Sequence, residues 1–312
     1  MSEPSAALAS GSVSLRLYPH LDLPAAEVVT ELLAQARLAE DAGFDGLMTS
    51  EHHNGFGGYL PNPIQVAGWV LDSTDHAWAA PCPLLLPLRP AAIVAEELAW
   101  LAARFPGRVG VGFAAGSLEA DFTIAGTTKD NLTQRFAEAM ATVSGMLLGR
   151  DAGALADDPA IQRCATDPIP VVSAANSPAA CHRAAALGVG LLFDSLTKVS
   201  RCHDLVGIYR DAGGTGPVVL IRRAWPGAQQ TDRHDDQLRL YGSYAASAAR
   251  AHWSDDQPAS GDSASIAQLL TEQVEAVGAD CLNIRVHTPG MAPAEARGHI
   301  TALAEVVALL TG

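Results

Sequence analysis

Short apolar runs alternate along the chain with longer stretches in which apolar residues recur every three or four positions. Residues 13–18 are the first run, and their alternating, β-favouring side chains predict a strand. Residues 24–42 follow with Val28, Leu32 and Ala36 at helical spacing, which predicts a helix. Gly43 stands where a helix commonly ends, and the same strand-and-helix unit then begins again.

This repeated unit predicts an α/β fold with eight strands. The predicted strands cover residues 13–18, 45–49, 77–86, 108–113, 169–174, 189–193, 218–222 and 281–286. The predicted helices between them cover residues 24–42, 62–71, 91–103, 131–148, 177–187 and 203–211. Eight alternating units favour a (β/α)8 TIM barrel. A doubly wound open sheet is the alternative, because the same alternation would serve it.

Two segments do not fit the repeated unit. Residues 1–12 are small and polar and lack the basic and apolar regions of a secretory signal. We therefore expect a disordered N-terminal tail ahead of a single domain at residues 13–312. Residues 225–280 form a connection far longer than usual. They predict helices at 237–251 and 265–277, and hence an extended lid or extra layer before the last strand.

The composition describes a globular protein with a small-molecule partner. Hydrophobic residues make up 48% of the 312 residues and charged residues 17%. No stretch approaches the roughly 18 uninterrupted apolar residues that a membrane helix needs. The net charge of −14 argues against nucleic acid or a membrane as partner. The five cysteines are odd in number and form no CxxC pair, so we expect reduced thiols in a cytoplasmic protein.

Glu51, His52 and His53 end the second predicted strand and are the first candidates for catalysis. In a barrel of parallel strands, this end of each strand carries the chemistry. Adjacent residues of an extended chain point to opposite faces, so one histidine should face the barrel mouth and the trio is too compact for a zinc site. We expect that imidazole to transfer protons, with Glu51 or a backbone group fixing its tautomer. The alternative is that both histidines only bridge loops through hydrogen bonds.

The glycine-rich stretch at residues 110–116 is not a dinucleotide fingerprint. Its third glycine comes one residue too late for the G-x-G-x-x-G spacing, and it lies in the fourth unit rather than the first. Two interpretations remain. The small residues could let a flat ligand approach the backbone closely, or they could satisfy a packing requirement inside the barrel.

Aromatic and basic residues near other strand ends have two interpretations as well. The aromatic candidates for a substrate pocket are Tyr18, His20, Tyr59, Trp78 and Trp225, although such residues are also ordinary in a core. The candidates for phosphate binding after the last strands are Arg222, Arg223 and His287, which could equally be solvated or paired at the rim.

Four short motifs occur in a characteristic order along the chain. They are GFDG at residues 43–46, EHH at 51–53, FPGRVGVG at 105–112 and IPVVSAANSP at 169–178. Together they resemble the bacterial luciferase-like flavin-dependent monooxygenases over nearly the whole barrel. The resemblance implies a barrel that binds reduced FMN from a separate reductase, reacts it with O2 and oxidises a small organic substrate. It also implies a homodimer.

The resemblance also implies roles for individual residues. His52 matches the family's catalytic histidine. Asn176 and Ser177 match the loop whose serine holds the flavin phosphate, and Arg135 resembles a nearby arginine of the family. A helix N-terminus, a hydroxyl and a guanidinium make a sound phosphate site. The family carries a cis peptide under the flavin ring, and because a cis bond costs least before proline, we expect one at Cys82-Pro83.

One departure from the family leaves the cofactor open. Ala114 and Ala115 follow the fourth predicted strand and are candidates for contact with the cofactor. At these two positions the luciferases have a cysteine and a phosphate-binding arginine. The phosphate contact could instead come from Arg135, Arg222 or Arg223. An FMN-dependent monooxygenase is therefore the leading hypothesis. An F420-dependent oxidoreductase, which needs no O2, and a non-catalytic flavin-binding or partner subunit on the same barrel are the alternatives.

Overall fold

The computed structural model describes residues 6–244, 250–253 and 258–312. Within these residues, ten strands belong to one sheet. They are β1 Val13–Arg16, β2 Gly46–Thr49, β3 Trp78–Pro81, β4 Leu84–Leu85, β5 Val111–Ala114, β6 Val171–Ala174, β7 Gly190–Phe193, β8 Val218–Pro226, β9 Ala259–Gly261 and β10 Cys281–Arg285.

Nine of the ten strands form a nearly closed barrel. Their order is β3-β2-β1-β10-β8-β7-β6-β5-β4, and every neighbouring pair is parallel. The first and last strands of this order, β3 and β4, follow each other directly in the chain, and a bridge between Ala79 and Val109 joins β3 to the stretch before β5. Since β3 and β4 together fill one barrel position, the predicted (β/α)8 TIM barrel is confirmed and the open sheet is not formed.

The described helices alternate with these strands. They are α1 Ala25–Asp41, α2 Pro63–Ser73, α3 Ala91–Arg104, α4 Glu119–Ile124, α5 Leu132–Leu147, α6 Pro159–Arg163, α7 Pro178–Leu187, α8 Val199–Asp211, α9 Thr231–Tyr244, α10 Ser263–Val277 and α11 Pro293–Thr311. Helix α7 shows how the sequence sets a boundary. The Ser177 hydroxyl accepts a hydrogen bond from the Ala180 amide at 3.3 Å, Pro178 opens the first turn, and Gly188 ends the helix at φ +62°.

The alternation of side chains along each strand divides the apolar core into two clusters. Leu47, Val171 and Leu191 point outward and pack in the layer between strands and helices. Met48, Val172 and Leu192, each one residue later, pack inside the barrel. The period of two that characterises a strand therefore decides which side chains can reach the barrel mouth.

Three local features differ from the sequence prediction. The strand expected at residues 77–86 is split into β3 and β4 at Cys82-Pro83. The cis bond expected at Cys82-Pro83 is confirmed. Helix α4 lies in what was predicted to be a loop, because six residues are too few to show a helical period. The expected helix at 237–251 begins earlier as α9, and its residues 245–249 lie outside the described part of the chain.

The N-terminal segment is ordered where the structure describes it. Ala7 and Leu8 are buried inside the barrel cluster, and the Ala7 amide donates to the Gly107 carbonyl at 3.0 Å. The expectation of a disordered tail is therefore wrong for residues 6–12, and residues 1–5 lie outside the described chain. Two apolar side chains are too few for the sequence to predict a buried segment. Inside the barrel, however, Ala7 and Leu8 are enough to join the apolar cluster. Within the described chain, no helix is long and apolar enough to cross a membrane.

Candidate active site

A cavity of about 460 Å3 opens at the carboxyl ends of the barrel strands. Its walls come from every part of the barrel and from the long connection before β10. The lining residues are Arg16, Tyr18, Ser50, Glu51, His52, Tyr59, Pro83, Leu85, Ala114, Ala115, Gly116, Ser117, Ala174, Asn176, Asp194, Ser195, Leu196, Ile221, Tyr241, Trp253 and Arg285. This is where catalysis is expected in a parallel barrel.

His52 faces this cavity and is held by a carboxylate from α4. Its Nδ1 lies 2.7 Å from Asp121 Oδ2, and the second carboxylate oxygen accepts the His53 amide at 2.9 Å. Burial would raise the pKa of Asp121, but the hydrogen bonds from His52 and His53 lower it below its ordinary value. With an anionic partner at Nδ1, His52 carries its proton there and leaves Nε2 available for proton exchange.

Glu51 or a backbone group was expected to fix the His52 tautomer, whereas in the structure Asp121 lies at His52 Nδ1. Glu51 is buried and accepts the Leu85 amide at 2.6 Å, while its other oxygen pairs with Arg89 and lies 3.3 Å from His53 Nε2. The physical reason is that neighbouring side chains on an extended segment diverge. The hydrogen bond that His53 donates to Glu51 raises the pKa of His53 above its ordinary value. Glu51 thus joins the strand end to α3 by way of Arg89.

The cis bond forms part of the cavity floor. Pro83 lines the cavity, whereas Cys82 is fully buried beneath it and its carbonyl accepts a hydrogen bond from Arg16 Nη1 at 2.7 Å. Burial raises the pKa of the Cys82 thiol to about 11, so this thiol is not an anion at neutral pH. A Cβ added at Gly112 would overlap Cys82 Sγ and lie 3.1 Å from Val172 Cγ2. Packing therefore accounts for this glycine.

The predicted cofactor residues separate into two groups. Ala114, Ala115 and Asn176 line the cavity, and their small or neutral side chains leave one wall low and flat. Ser177 lies at the N-terminus of α7, beside this wall. Arg135 is absent from the lining. Its guanidinium is held elsewhere, because it donates to the carbonyls of Thr128 and Pro87 and to the Thr127 hydroxyl.

Arg201, which belongs to none of the sequence motifs, lies beside Asn176. Arg201, from α8, donates to the Asn176 carbonyl at 3.4 Å through Nη2. Its Nε is buried and has no hydrogen-bond partner within the described structure. The start of α7 therefore combines a hydroxyl, a helix N-terminus and a guanidinium, which are groups that bind phosphate.

The opposite wall is cationic and aromatic. Arg285 lies over the Tyr18 ring, with its guanidinium carbon 4.4 Å from the ring centroid, and Arg16 donates to Asn283 Oδ1 at 2.9 Å and to Ser50. The hydroxyls of Tyr59 and Tyr241 are 2.7 Å apart. Burial would lower the pKa of Arg285, but the surrounding tyrosines raise it above its ordinary value.

The other aromatic and basic candidates occupy different places. Trp78 and Trp225 are fully buried and belong to the core, while Tyr18 and Tyr59 line the cavity. His20 and His287 line a neighbouring cavity of about 370 Å3. Burial, together with Arg285 and His20, lowers the pKa of His287 to about 3. Among the described residues, no group of three or more His, Cys, Asp or Glu side chains is arranged to hold a metal ion.

Comparison with known sequences connects the chain to an F420-dependent dehydrogenase and to an alkanal monooxygenase. The F420-dependent glucose-6-phosphate dehydrogenase of Beutenbergia cavernae is 30% identical over 176 residues, which is 53% of this chain and 52% of that protein. The chain thus matches about half the length of this relative. The alkanal monooxygenase alpha chain of Photorhabdus luminescens is 30% identical over 105 residues, or 34% of this chain and 29% of that one.

The barrel is shared with solved structures, and a family model covers most of the sequence. The monooxygenase RslO1 from Streptomyces bottropensis superimposes with a TM-score of 0.74 at 20% identity, covering 94% of this chain and 98% of that one. The model of the luciferase-like monooxygenases matches residues 11–281. Since this match covers most of the 312 residues, the chain belongs to the luciferase-like monooxygenase family.

Proposed function

We propose that the protein is a monooxygenase that uses reduced FMN, supplied by a separate reductase, and O2 to oxidise a small organic substrate. The observation that carries this proposal is the pairing of His52 with Asp121 at the edge of a 460 Å3 cavity with one flat wall. A general acid or base beside a slot for a planar ring is what flavin chemistry requires of a protein.

The residues present fit the cofactor. Pro83, Ala114 and Ala115 would leave room for the flavin ring, because none of them projects a long side chain into the cavity. Ser177 and Arg201 would hold the phosphate at the start of α7, so that Arg201 would replace the arginine missing at position 115. When bound, reduced FMN supplies the two electrons with which O2 is activated.

The chain itself supplies proton transfer and exclusion of water. His52 Nε2 would give a proton to the reacting oxygen or take one from the substrate, while Asp121 holds Nδ1 and orients the ring. Tyr18 and Tyr59 close the side of the cavity next to His52, and their rings reduce the access of water.

An F420-dependent oxidoreductase is the second candidate. The similarity to the F420-dependent dehydrogenase of Beutenbergia cavernae favours it, and the same wall would accept a deazaflavin ring. The reaction would then be a hydride transfer without O2. His52 would serve this chemistry equally well, because hydride removal from an alcohol also requires a base.

One titration separates these functions. The purified protein is titrated with FMN, reduced FMN and F420, and O2 uptake is followed with a panel of aldehydes and ketones. We expect tight binding of reduced FMN and substrate-dependent O2 uptake. Binding of F420 with substrate oxidation in the absence of O2 would instead establish the dehydrogenase. Flavin binding without turnover of any substrate would leave a non-catalytic flavin-binding subunit.

A further inference from the structure

A small side cavity adjoins the main one on the cationic side of the barrel. Its volume is about 40 Å3, and Ser195 and Leu196 line both cavities. Arg222, Arg223 and His234 form its polar wall. Because residues 219, 221 and 223 of a strand share one face, Arg223 lies on the interior side of β8, with Val219 and Ile221.

The polar wall consists of hydrogen-bond donors. Arg223 is only 4% exposed, its Nη1 donates to His234 Nε2 at 3.0 Å, and its Nε and Nη2 have no partner within the described structure. A guanidinium can only donate, so His234 accepts at Nε2 and carries its proton on Nδ1. That Nδ1 is likewise buried without a partner among the described residues.

Within the described residues, the positive charges of this region also lack carboxylate partners. In the described part of the chain, Arg16, Arg222, Arg223 and Arg285 are buried and none has a carboxylate within 4.0 Å. Burial, together with the charge of Arg285, lowers the pKa of Arg223 to about 10. Burying unpaired cations opposes folding, and a protein tolerates it where a ligand supplies the opposite charge.

We propose that the side cavity is an anion subsite that takes a carboxylate of the substrate, with Arg223 as its principal contact. This deepens the proposed function, on which it rests, by naming the class of substrate: small oxidisable molecules that carry a carboxylate at one end. The size of the cavity favours this group. A volume of about 40 Å3 suits a group of a few heavy atoms such as a carboxylate, and a phosphate is bulkier.

The cofactor phosphate is the other possible source of an anion. It is distinguished by its place, because Ser177 and Arg201 lie at the start of α7, whereas Arg223 lies on β8. Riboflavin differs from FMN only in lacking the phosphate, so a comparison of their affinities reports which anion a given arginine binds.

Calorimetric titration at constant ionic strength tests the subsite directly. Wild type is expected to bind acetate saturably and inorganic phosphate more weakly. Arg223→Met should weaken acetate binding by about tenfold or more, as for a lost charge-assisted hydrogen bond. Arg104→Met, at an exposed position on α3, is the matched control and should leave binding unchanged.

Two further measurements separate a binding role from a structural one. Arg223→Met should raise Tm without ligand, because it removes an uncompensated buried charge, whereas a structural arginine would lower Tm when replaced. In the O2-uptake assay, aldehydes and ketones are offered as free carboxylic acids and as methyl esters. Wild type should prefer the acids, and Arg223→Met should lose that preference through a higher KM for the acids alone.

The outcomes distinguish failure of the subsite from failure of the proposed function. Absent acetate binding, or binding that Arg223→Met does not weaken, overturns the subsite, as does a preference for the esters. Weaker binding of FMN but not of riboflavin by Arg223→Met would assign the subsite to the cofactor phosphate and overturn the substrate assignment. Acetate binding that depends on Arg223 in a protein without O2 uptake would support the subsite and reject the monooxygenase.

Discussion

At the scale of single residues, the proton chemistry of the mouth depends on one carboxylate. Asp121 holds both His52 through its ring and His53 through its amide, and these bonds keep it ionised. An anion at Nδ1 fixes the tautomer of His52 and leaves Nε2 free to exchange a proton. The same arrangement orients the ring towards the cavity, so both the tautomer and the orientation of His52 depend on Asp121.

Replacing this carboxylate should therefore damage turnover while preserving cofactor binding. We expect Asp121→Asn, like His52→Asn, to slow turnover by about a hundredfold, within the range that general acid–base catalysis contributes. Affinity for reduced FMN should change little, because Asp121 does not line the cavity. Stopped-flow measurements of turnover and flavin titration measure the two effects. Asp72→Asn, at an exposed position on α2, is the control. Unchanged turnover in Asp121→Asn would remove the pair from catalysis.

Arg201 allows a second test at this scale. Its position beside Asn176 and the start of α7 suits a phosphate, so Arg201→Gln should weaken FMN binding by about tenfold, as for a lost charge-assisted contact, and leave riboflavin binding unchanged. Arg135→Gln is the comparison, because Arg135 donates to carbonyls within its own region. Equal losses for FMN and riboflavin would contradict a phosphate contact at Arg201.

At the scale of elements, β5 packs so closely against Cys82, between β3 and β4, that no space is left for a side chain at residue 112. Gly112 faces Cys82 and Val172 inside the barrel. Of the two interpretations open for the glycine-rich stretch, packing thus applies at this glycine, while the flat wall that a ligand could approach begins two residues later at Ala114.

A double-mutant cycle tests the packing argument. Gly112→Ala should lower the free energy of unfolding by about 1–3 kcal/mol, the usual cost of overpacking a core. Cys82→Ala removes the overlapping sulfur, so the double variant should recover part of that loss. Chemical denaturation of the four proteins measures the coupling. Additive effects would show that Cys82 does not limit the space at residue 112.

The elements that the sequence predicted are those with a long apolar period. The eight barrel positions and the helices at α1, α3, α5 and α7 were recognisable because their apolar faces recur over whole turns or strands. Helix α4 was missed because it has six residues, and Asp121 was missed with it. Alternation along β8 and β10 could have placed Arg223 and Arg285 inside the barrel, but the missing carboxylate partners depend on tertiary contacts.

At the scale of the whole molecule, charge is distributed unevenly. The chain carries a net charge of −14, yet four buried arginines without carboxylate partners lie around the barrel mouth in the described structure. A cationic cavity within an acidic surface concentrates field lines at the entrance and favours small anions there. This distribution suits an anionic substrate better than a protein or nucleic-acid partner. It also leaves the histidines next to those arginines uncharged in the folded state.

Acid should therefore destabilise the protein well above the range in which carboxylates titrate. Burial, together with neighbouring arginines, lowers the pKa of His234 to about 4 and that of His287 to about 3. The unfolded chain binds protons at these residues below about pH 6.5, whereas the folded chain does not. The associated stability is complete above that pH, and each histidine should lose about 1.4 kcal/mol per pH unit as the pH falls towards 4.

Denaturation between pH 5 and pH 7 measures this slope, and variants assign it. His234→Gln and His287→Gln should each reduce the slope by about one proton, whatever they do to stability at neutral pH. The exposed His76→Gln should leave the slope unchanged. His53 acts in a different window, because its hydrogen bond to Glu51 raises its pKa, and the associated stability is complete below about pH 6.5 and is lost as the pH rises above that value. A slope that neither variant reduces would mean that both imidazoles take up protons in the folded protein. The positive charge of Arg223 and Arg285 would then be too weak to keep these histidines neutral.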